Sequence, residues 1–246
     1  MRYVAPEFLP TLNGEGIHSF DDLWALERNW FEELNSRRGG TSGVCRKAWL
    51  NPAGGEPETV FVKFQENYCC RTWNHPLHGI PTACREARNL LKLNGKGFPT
   101  PRLLYYEERR GEERRPSHRA ILITRELDGQ SLYDYLKTSS LDSALAARIA
   151  ELIFRLNRQF DYEHRALYPK HVWIGDAGLS LLDLEDARPR WYSCSSPYRD
   201  LFMLLRALRK KAKVPKADCH EILGHYLRLA GRTSDLDRLA SRFGLR

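Results

Sequence analysis

Two pairs of residues in this chain have the types and spacing to handle phosphate and a cation. Lys63 interrupts the apolar run Val60-Phe61-Val62-Lys63-Phe64, and Glu86 follows about twenty residues later in Thr82–Leu93. A strand lysine tied to a helix glutamate presents a fixed ammonium to phosphate oxygens, as phosphoryl transfer requires. His171 and Asp183 bracket a second unit, in which the runs Val172–Ile174 and Leu179–Leu184 are joined by Gly175-Asp176-Ala177-Gly178. That pattern predicts a β-hairpin, a rigid mount for polar groups at both strand ends. Asp183 follows Leu181 and Leu182 in a strand expected to be buried, where a carboxylate calls for a cation or several donors.

Other residues carry weaker signals. Gly39-Gly40-Thr41-Ser42-Gly43 could lay backbone N–H groups against phosphate, although its spacing is not the full Gly-rich phosphate-loop pattern. Asp200 opens an apolar helix, either as an N-terminal acid favoured by the helix dipole or as a buried acid anchoring the loop at 164–168. Cys69-Cys70 with His75 and His78 matches no common zinc spacing. The run Arg206, Arg209, Lys210, Lys211, Lys213, Lys216 is a solvated helix end that could also rest on an anionic bilayer.

The elements that must position these groups follow in order. Ser19 to Asp22 forms a capping box for a helix expected to run through Trp24, Leu26, Trp30 and Phe31. Arg37–Val44 leads into a strand, and the turn Asn51–Gly55 leads to the Lys63 strand. Thr82–Leu93 is helical. Leu103–Tyr106 and Ala120–Thr124 flank the charged tip Arg109–His118. From Leu141 the positions Leu145, Ile149, Leu152, Ile153, Leu156 and Phe160 keep helical spacing. Helices near 198–211, 216–230 and 234–242 follow the hairpin, the last capped by Ser234. The order is strands with one helix, then helices with one hairpin. A composition break at Leu127-Asp128-Gly129-Gln130 separates a lobe over residues 1–127 from one over 128–246.

At 246 residues, with 42% hydrophobic and 28% charged residues, the chain can bury a sizeable core. It contains no apolar run of the roughly 18 residues that a membrane span requires. Residues 1–12 lack the apolar core of a secretory signal, and the six cysteines are expected to be free thiols of a reduced, cytoplasmic protein. A formal net charge of +8 favours anionic partners. No nucleic-acid motif is present, and none of that class is expected as a partner.

The strings RRGGTSGV, VFVKFQENYCCRTWNHPLHGIPTACREARNL, GFPTPRLLYYEER, AILITRELDGQSL, LYPKHVWI, LLDLEDAR and YRDLFMLLRAL resemble, in that order, bacterial lipopolysaccharide kinases of the Kdo/heptose type, with particular likeness to the InaA-like branch. The likeness runs from about Asn29 to Leu208. It implies an α+β, protein-kinase-like bilobal fold, with a small β-rich N-lobe and a reduced, mostly helical C-lobe. It implies ATP, Mg or Mn as the divalent metal, and a sugar hydroxyl of lipopolysaccharide inner-core glycolipid as acceptor, reached by peripheral contact with the inner membrane. By the same resemblance Lys63 is the phosphate-binding lysine and Glu86 its partner. Gly40, Ser42 and Gly43 lie at the phosphates, Thr124 is the gatekeeper, and Glu126 and Leu127 offer backbone to adenine. His171 and Asp183 are the metal ligands, and Asp200 anchors the loop. The departure is Ala166, which stands where the family's catalytic Asp is expected. General-base assistance contributes about 10²–10⁴-fold, while positioning and charge neutralisation dominate phosphoryl transfer. A slow kinase and a nucleotide-binding pseudokinase that regulates or scaffolds a partner are the two functional expectations.

Overall fold

The computed structural model describes residues 1–36, 39–50, 57–111, 117–192 and 196–245. The expected turn at Asn51–Gly55, the start of the Arg37–Val44 stretch, the centre of the charged tip and Cys194 lie outside these residues. The described chain divides into two compact units, one of residues 1–94 with 101–126, the other of 95–100 with 127–245.

The first unit is built on a five-stranded antiparallel sheet. Its strands are β1 (Arg2–Val4), β2 (Thr41–Trp49), β3 (Glu58–Glu66), β6 (Leu103–Arg110) and β7 (His118–Arg125), in the order β1-β6-β7-β3-β2. Two-residue alternation along β3 decides the faces. Val60, Val62 and Phe64 enter the core beside Phe8, Phe20 and Leu23 from the N-terminal segment, which carries α1 (Leu9–Gly14) and α2 (Phe20–Trp24). Phe61, Lys63 and Gln65 take the other phase. The capping box at α2 forms, Ser19 Oγ accepting from Asp22 N–H at 3.2 Å and Asp22 accepting from Ser19 N–H at 2.8 Å. The helix it opens stops at Trp24, short of the expected Phe31, because Trp30 joins Cys45 of β2 in an isolated bridge.

Between β3 and the next helix stands a hairpin that periodicity alone did not reveal, β4 (Cys69–Thr72) and β5 (His75–Pro81). Helix α3 (Thr82–Asn94) packs on β6 and β7 and buries Ala83, Ala87, Leu90 and Leu93. Among the described residues, Cys69, Cys70, His75 and His78 form no group at ligating distance.

In the second unit, β10 (Val172–Gly175) and β11 (Gly178–Leu181) form the expected hairpin, with Val172 opposite Leu181 and Gly175 opposite Gly178. A short β8 (Gln130–Ser131) extends it and leads into α4 (Leu132–Thr138), while β9 (Tyr162–Glu163) pairs with β12 (Arg188–Pro189). Pro99 carbonyl accepts from Leu181 N–H at 3.0 Å, and Phe98 packs edge-on against Phe160, which ties residues 95–100 to this unit. Helix α5 (Ser143–Phe154), capped by Asp142, continues into a wide π-type turn at Arg155–Gln159. It packs mainly on α7 (Lys216–Leu229), and Phe154 meets Tyr226 edge-on. Helix α6 (Arg199–Lys211) contributes Leu201, Leu204, Leu205 and Leu208 to the interior. Each such side chain is worth about 1.5–3 kcal/mol relative to exposure. The last helix, α8 (Leu236–Arg242), begins after Asp235 with no side-chain cap, so the expected Ser234 cap does not form. No helix among the described residues is long and apolar enough to cross a membrane.

Candidate functional site

In the first unit the Lys63 ammonium lies 2.5 Å from the Glu86 carboxylate, their side chains 17% and 8% exposed. Lys63 is therefore held against α3 and is not on an open strand face. Two residues along the same side of β3, Gln65 is buried and fixes the helix that carries Glu86. Its carbonyl oxygen accepts from Ala83 N–H at 2.9 Å, and its amide donates to Thr82 Oγ at 2.8 Å and to Ser42 Oγ at 3.2 Å. Sequence reading missed Gln65. The signal was present, since a polar residue shares the Lys63 phase of an otherwise apolar strand.

The glycine-rich turn is shaped first by close packing. A Cβ on Gly40 would lie 2.3 Å from the Glu66 carbonyl, and one on Gly43 would lie 2.4 Å from the Trp30 ring. The Ser42 N–H is committed to Asn35 carbonyl at 2.8 Å. Downstream, Thr124 faces Phe61 across the β3–β7 pair, and Glu126 N–H donates to Thr59 carbonyl at 3.0 Å. Arg46 holds the Glu126 carboxylate with two bonds of 2.8 Å. Leu127 is the first residue of the second unit after that strand.

In the second unit the register of the hairpin extends one step, Leu182 N–H donating to His171 carbonyl at 2.9 Å. Asp183 is thereby set beside His171, its Oδ2 at 3.3 Å from Nε2. Asp183 does not continue a buried strand as expected. It lies past the end of β11 with φ +58° and a side chain 38% exposed, because the left-handed turn swings it out of the pleat. Arg165 is also left-handed, with φ +68°. Such strain costs about 1–3 kcal/mol per residue and collects at functional sites.

The loop before the hairpin is anchored by Asp200, which is 1% exposed. Its carboxylate accepts from His164 N–H at 2.8 Å, Arg165 N–H at 2.8 Å and Asn157 Nδ2 at 2.9 Å. His164 Nε2 donates to Leu182 carbonyl at 2.8 Å, and its ring stacks on His171. His171 Nδ1 lies 2.7 Å from the Ala166 carbonyl, which can only accept, so Nδ1 carries the proton. Burial pushes the His171 imidazole down to about 4, against the opposing pull of the Asp183 carboxylate. Nε2 is thus an unprotonated acceptor facing a carboxylate oxygen. Two acceptors at this separation fit a shared cation, and the imidazole–carboxylate set is a competent donor pair for one.

Position 166 offers only a methyl group. Glu163 is 2% exposed in the β9–β12 pair, and both Glu163 and Asp161 are drawn to Arg190, at 4.0 and 3.9 Å.

Over its whole length the chain is similar to a solved structure described as WaaP in complex with acyl carrier protein. The TM-score is 0.62 at 20% identity, with 99% of each chain covered, which establishes a protein-kinase-like fold. The chain is also 26% identical over 219 residues to Protein InaA of Escherichia coli (strain K12), covering 84% of this chain and 94% of that protein. The model of the lipopolysaccharide kinase (Kdo/WaaP) family matches residues 21–226, and the chain belongs to that family.

Proposed function

We propose that this chain transfers the γ-phosphoryl group of ATP to a sugar hydroxyl of the lipopolysaccharide inner core, without a side-chain base at position 166. The observation that carries this reading is the Lys63–Glu86 ion pair at 2.5 Å. Removing two charges from water is costly and adds little stability, so a pair kept this way makes sense as a fixed cation offered to phosphate. In this reading Lys63 takes phosphate oxygens and Glu86 keeps it in place. The backbone of Glu126 and Leu127 meets the adenine. The Gly40–Gly43 turn lies at the phosphates, with Ser42 N–H already occupied.

His171 Nε2 and Asp183 would hold Mg or Mn, which would supply neutralisation of the charge on the transferring phosphate. Asp200 holds the His164–Ala166 stretch and, through the Ala166 carbonyl, the His171 tautomer. The sugar oxygen bonds to the γ-phosphorus as ADP leaves, and the hydroxyl proton passes to solvent and not to a side chain, which costs about 10²–10⁴-fold in rate. A glycolipid acceptor places the work at the cytoplasmic face of the inner membrane.

Ala166 itself favours a second reading, a nucleotide-binding pseudokinase that regulates or scaffolds a partner. Titration of ATP with and without Mg²⁺ or Mn²⁺, followed by phosphotransfer to dephosphorylated core glycolipid, separates the two. Metal-dependent binding with transfer supports the kinase. Binding without transfer supports the pseudokinase, and no nucleotide binding would sink both.

A further inference from the structure

The β4–β5 hairpin contributes nothing to the residues assigned above, yet its composition is unusual for a surface loop. A two-residue turn, Trp73-Asn74, links Thr72 to His75. Trp73 is 87% exposed and Leu77 79%, the two most exposed large apolar side chains among the described residues. One exposed apolar residue needs no explanation. Two on one hairpin, with cations around them, do.

Arg71, His75 and His78 are exposed on the hairpin itself. Beside it a cavity of about 410 Å³ is lined by Pro76, His78, Arg88, Arg110 and His118. His118 Nε2 is buried there without a hydrogen-bond partner. Glu108 also lines this cavity, but its carboxylate is taken by the Met1 ammonium at 2.7 Å and the Tyr106 hydroxyl at 2.8 Å. Arg109 is similarly spent on Asp21 and Glu107. Among the described residues, no carboxylate forms an ion pair with Arg71, Arg88 or Arg110.

We propose that the β4–β5 hairpin docks this chain on an anionic phospholipid bilayer, with Trp73 and Leu77 in the lipid interface and Arg71, Arg88 and Arg110 on lipid phosphates. Cations alone would suit any free anion. The apolar pair distinguishes a bilayer, because these side chains gain only by leaving water, and an indole belongs at a membrane–water boundary. The proposal rests on the reading that the acceptor is a membrane glycolipid, but its test needs neither acceptor nor nucleotide.

The test is co-sedimentation of the full chain with vesicles of phosphatidylcholine alone or mixed equally with phosphatidylglycerol. The wild type is expected to bind the mixed vesicles and not the neutral ones. Trp73→Ser/Leu77→Ser and Arg71→Gln/Arg110→Gln should each lose at least about tenfold in partition, since each surface cation is worth about fivefold. Lys210→Gln/Lys211→Gln, on the other basic surface, should bind like wild type. Brominated lipid should quench wild-type tryptophan fluorescence and should quench Trp73→Phe far less. Circular dichroism of each variant checks that it folds. Failure of the wild type to bind mixed vesicles, equal binding to neutral ones, or loss only in the α6 variant overturns the proposal and leaves the nucleotide reading standing. Vesicle binding by a chain that binds no nucleotide does the reverse.

Discussion

The His171 imidazole donates from Nδ1 to the backbone carbonyl of Ala166 at 2.7 Å. Ala166 thus sets the His171 tautomer through its main chain. That contact does not depend on the side chain at 166, so a substitution there leaves the His171 tautomer in place.

On the proposed reading, Ala166→Asp should supply a proton acceptor in a loop already held by Asp200. Turnover is expected to rise by at least about tenfold, the low end of general-base assistance, with nucleotide affinity nearly unchanged. Single-turnover phosphotransfer and an ATP titration measure the two. ATP binding with no detectable transfer in Ala166→Asp would make the pseudokinase the better description.

Asp183→Ala should weaken nucleotide binding in Mg²⁺ or Mn²⁺ more than in chelator, because the carboxylate acts through the cation. Calorimetry in both conditions checks this, and an equal loss in both would count against Asp183 as a ligand.

Glu86→Ala should take from the mostly buried Lys63 ammonium the carboxylate that lies 2.5 Å from it, destabilising the first unit by about 3 kcal/mol. Lys63→Met/Glu86→Leu, which removes both charges, should recover most of that stability and none of the nucleotide affinity. Denaturant midpoints and ATP titrations on the same samples distinguish a structural pair from a phosphate anchor. Recovery of both properties would refute the anchor.

His171 has a folded pKa of about 4, below its ordinary 6.5. The unfolded chain therefore binds more protons between those values, and stability present above about pH 6.5 is lost as pH falls toward 4. The loss is at most about 3 kcal/mol at 1.36 kcal/mol per pH unit. In metal-free buffer, His171→Asn, which can still donate to Ala166, should flatten this limb of the stability profile. An unchanged acid limb would show that His171 is not the group that titrates.

Much of the molecule was legible in the residues alone. The alternation of Val60, Val62 and Phe64 against Phe61, Lys63 and Gln65 assigns the faces of β3 without any structure, because side chains in a strand alternate. The helical spacing from Leu145 to Leu156 and the Gly175–Gly178 turn likewise identified α5 and the hairpin, since both are local preferences. The ordered motifs identified the family.

What the sequence could not determine is where one local preference meets a distant partner. Trp30 left its helix because Cys45 of β2 offered a backbone bridge. Asp183 turned out of its strand into a left-handed conformation beside His171. Gln65 became the anchor of α3 only once Ala83 and Thr82 lay over it. Ser234 does not cap α8, although its residue type suits a cap. Hydrogen-bond partners far apart in the chain are chosen by packing, which periodicity does not encode, so the tautomer of His171 and the hold on Lys63 could be read only from the folded chain.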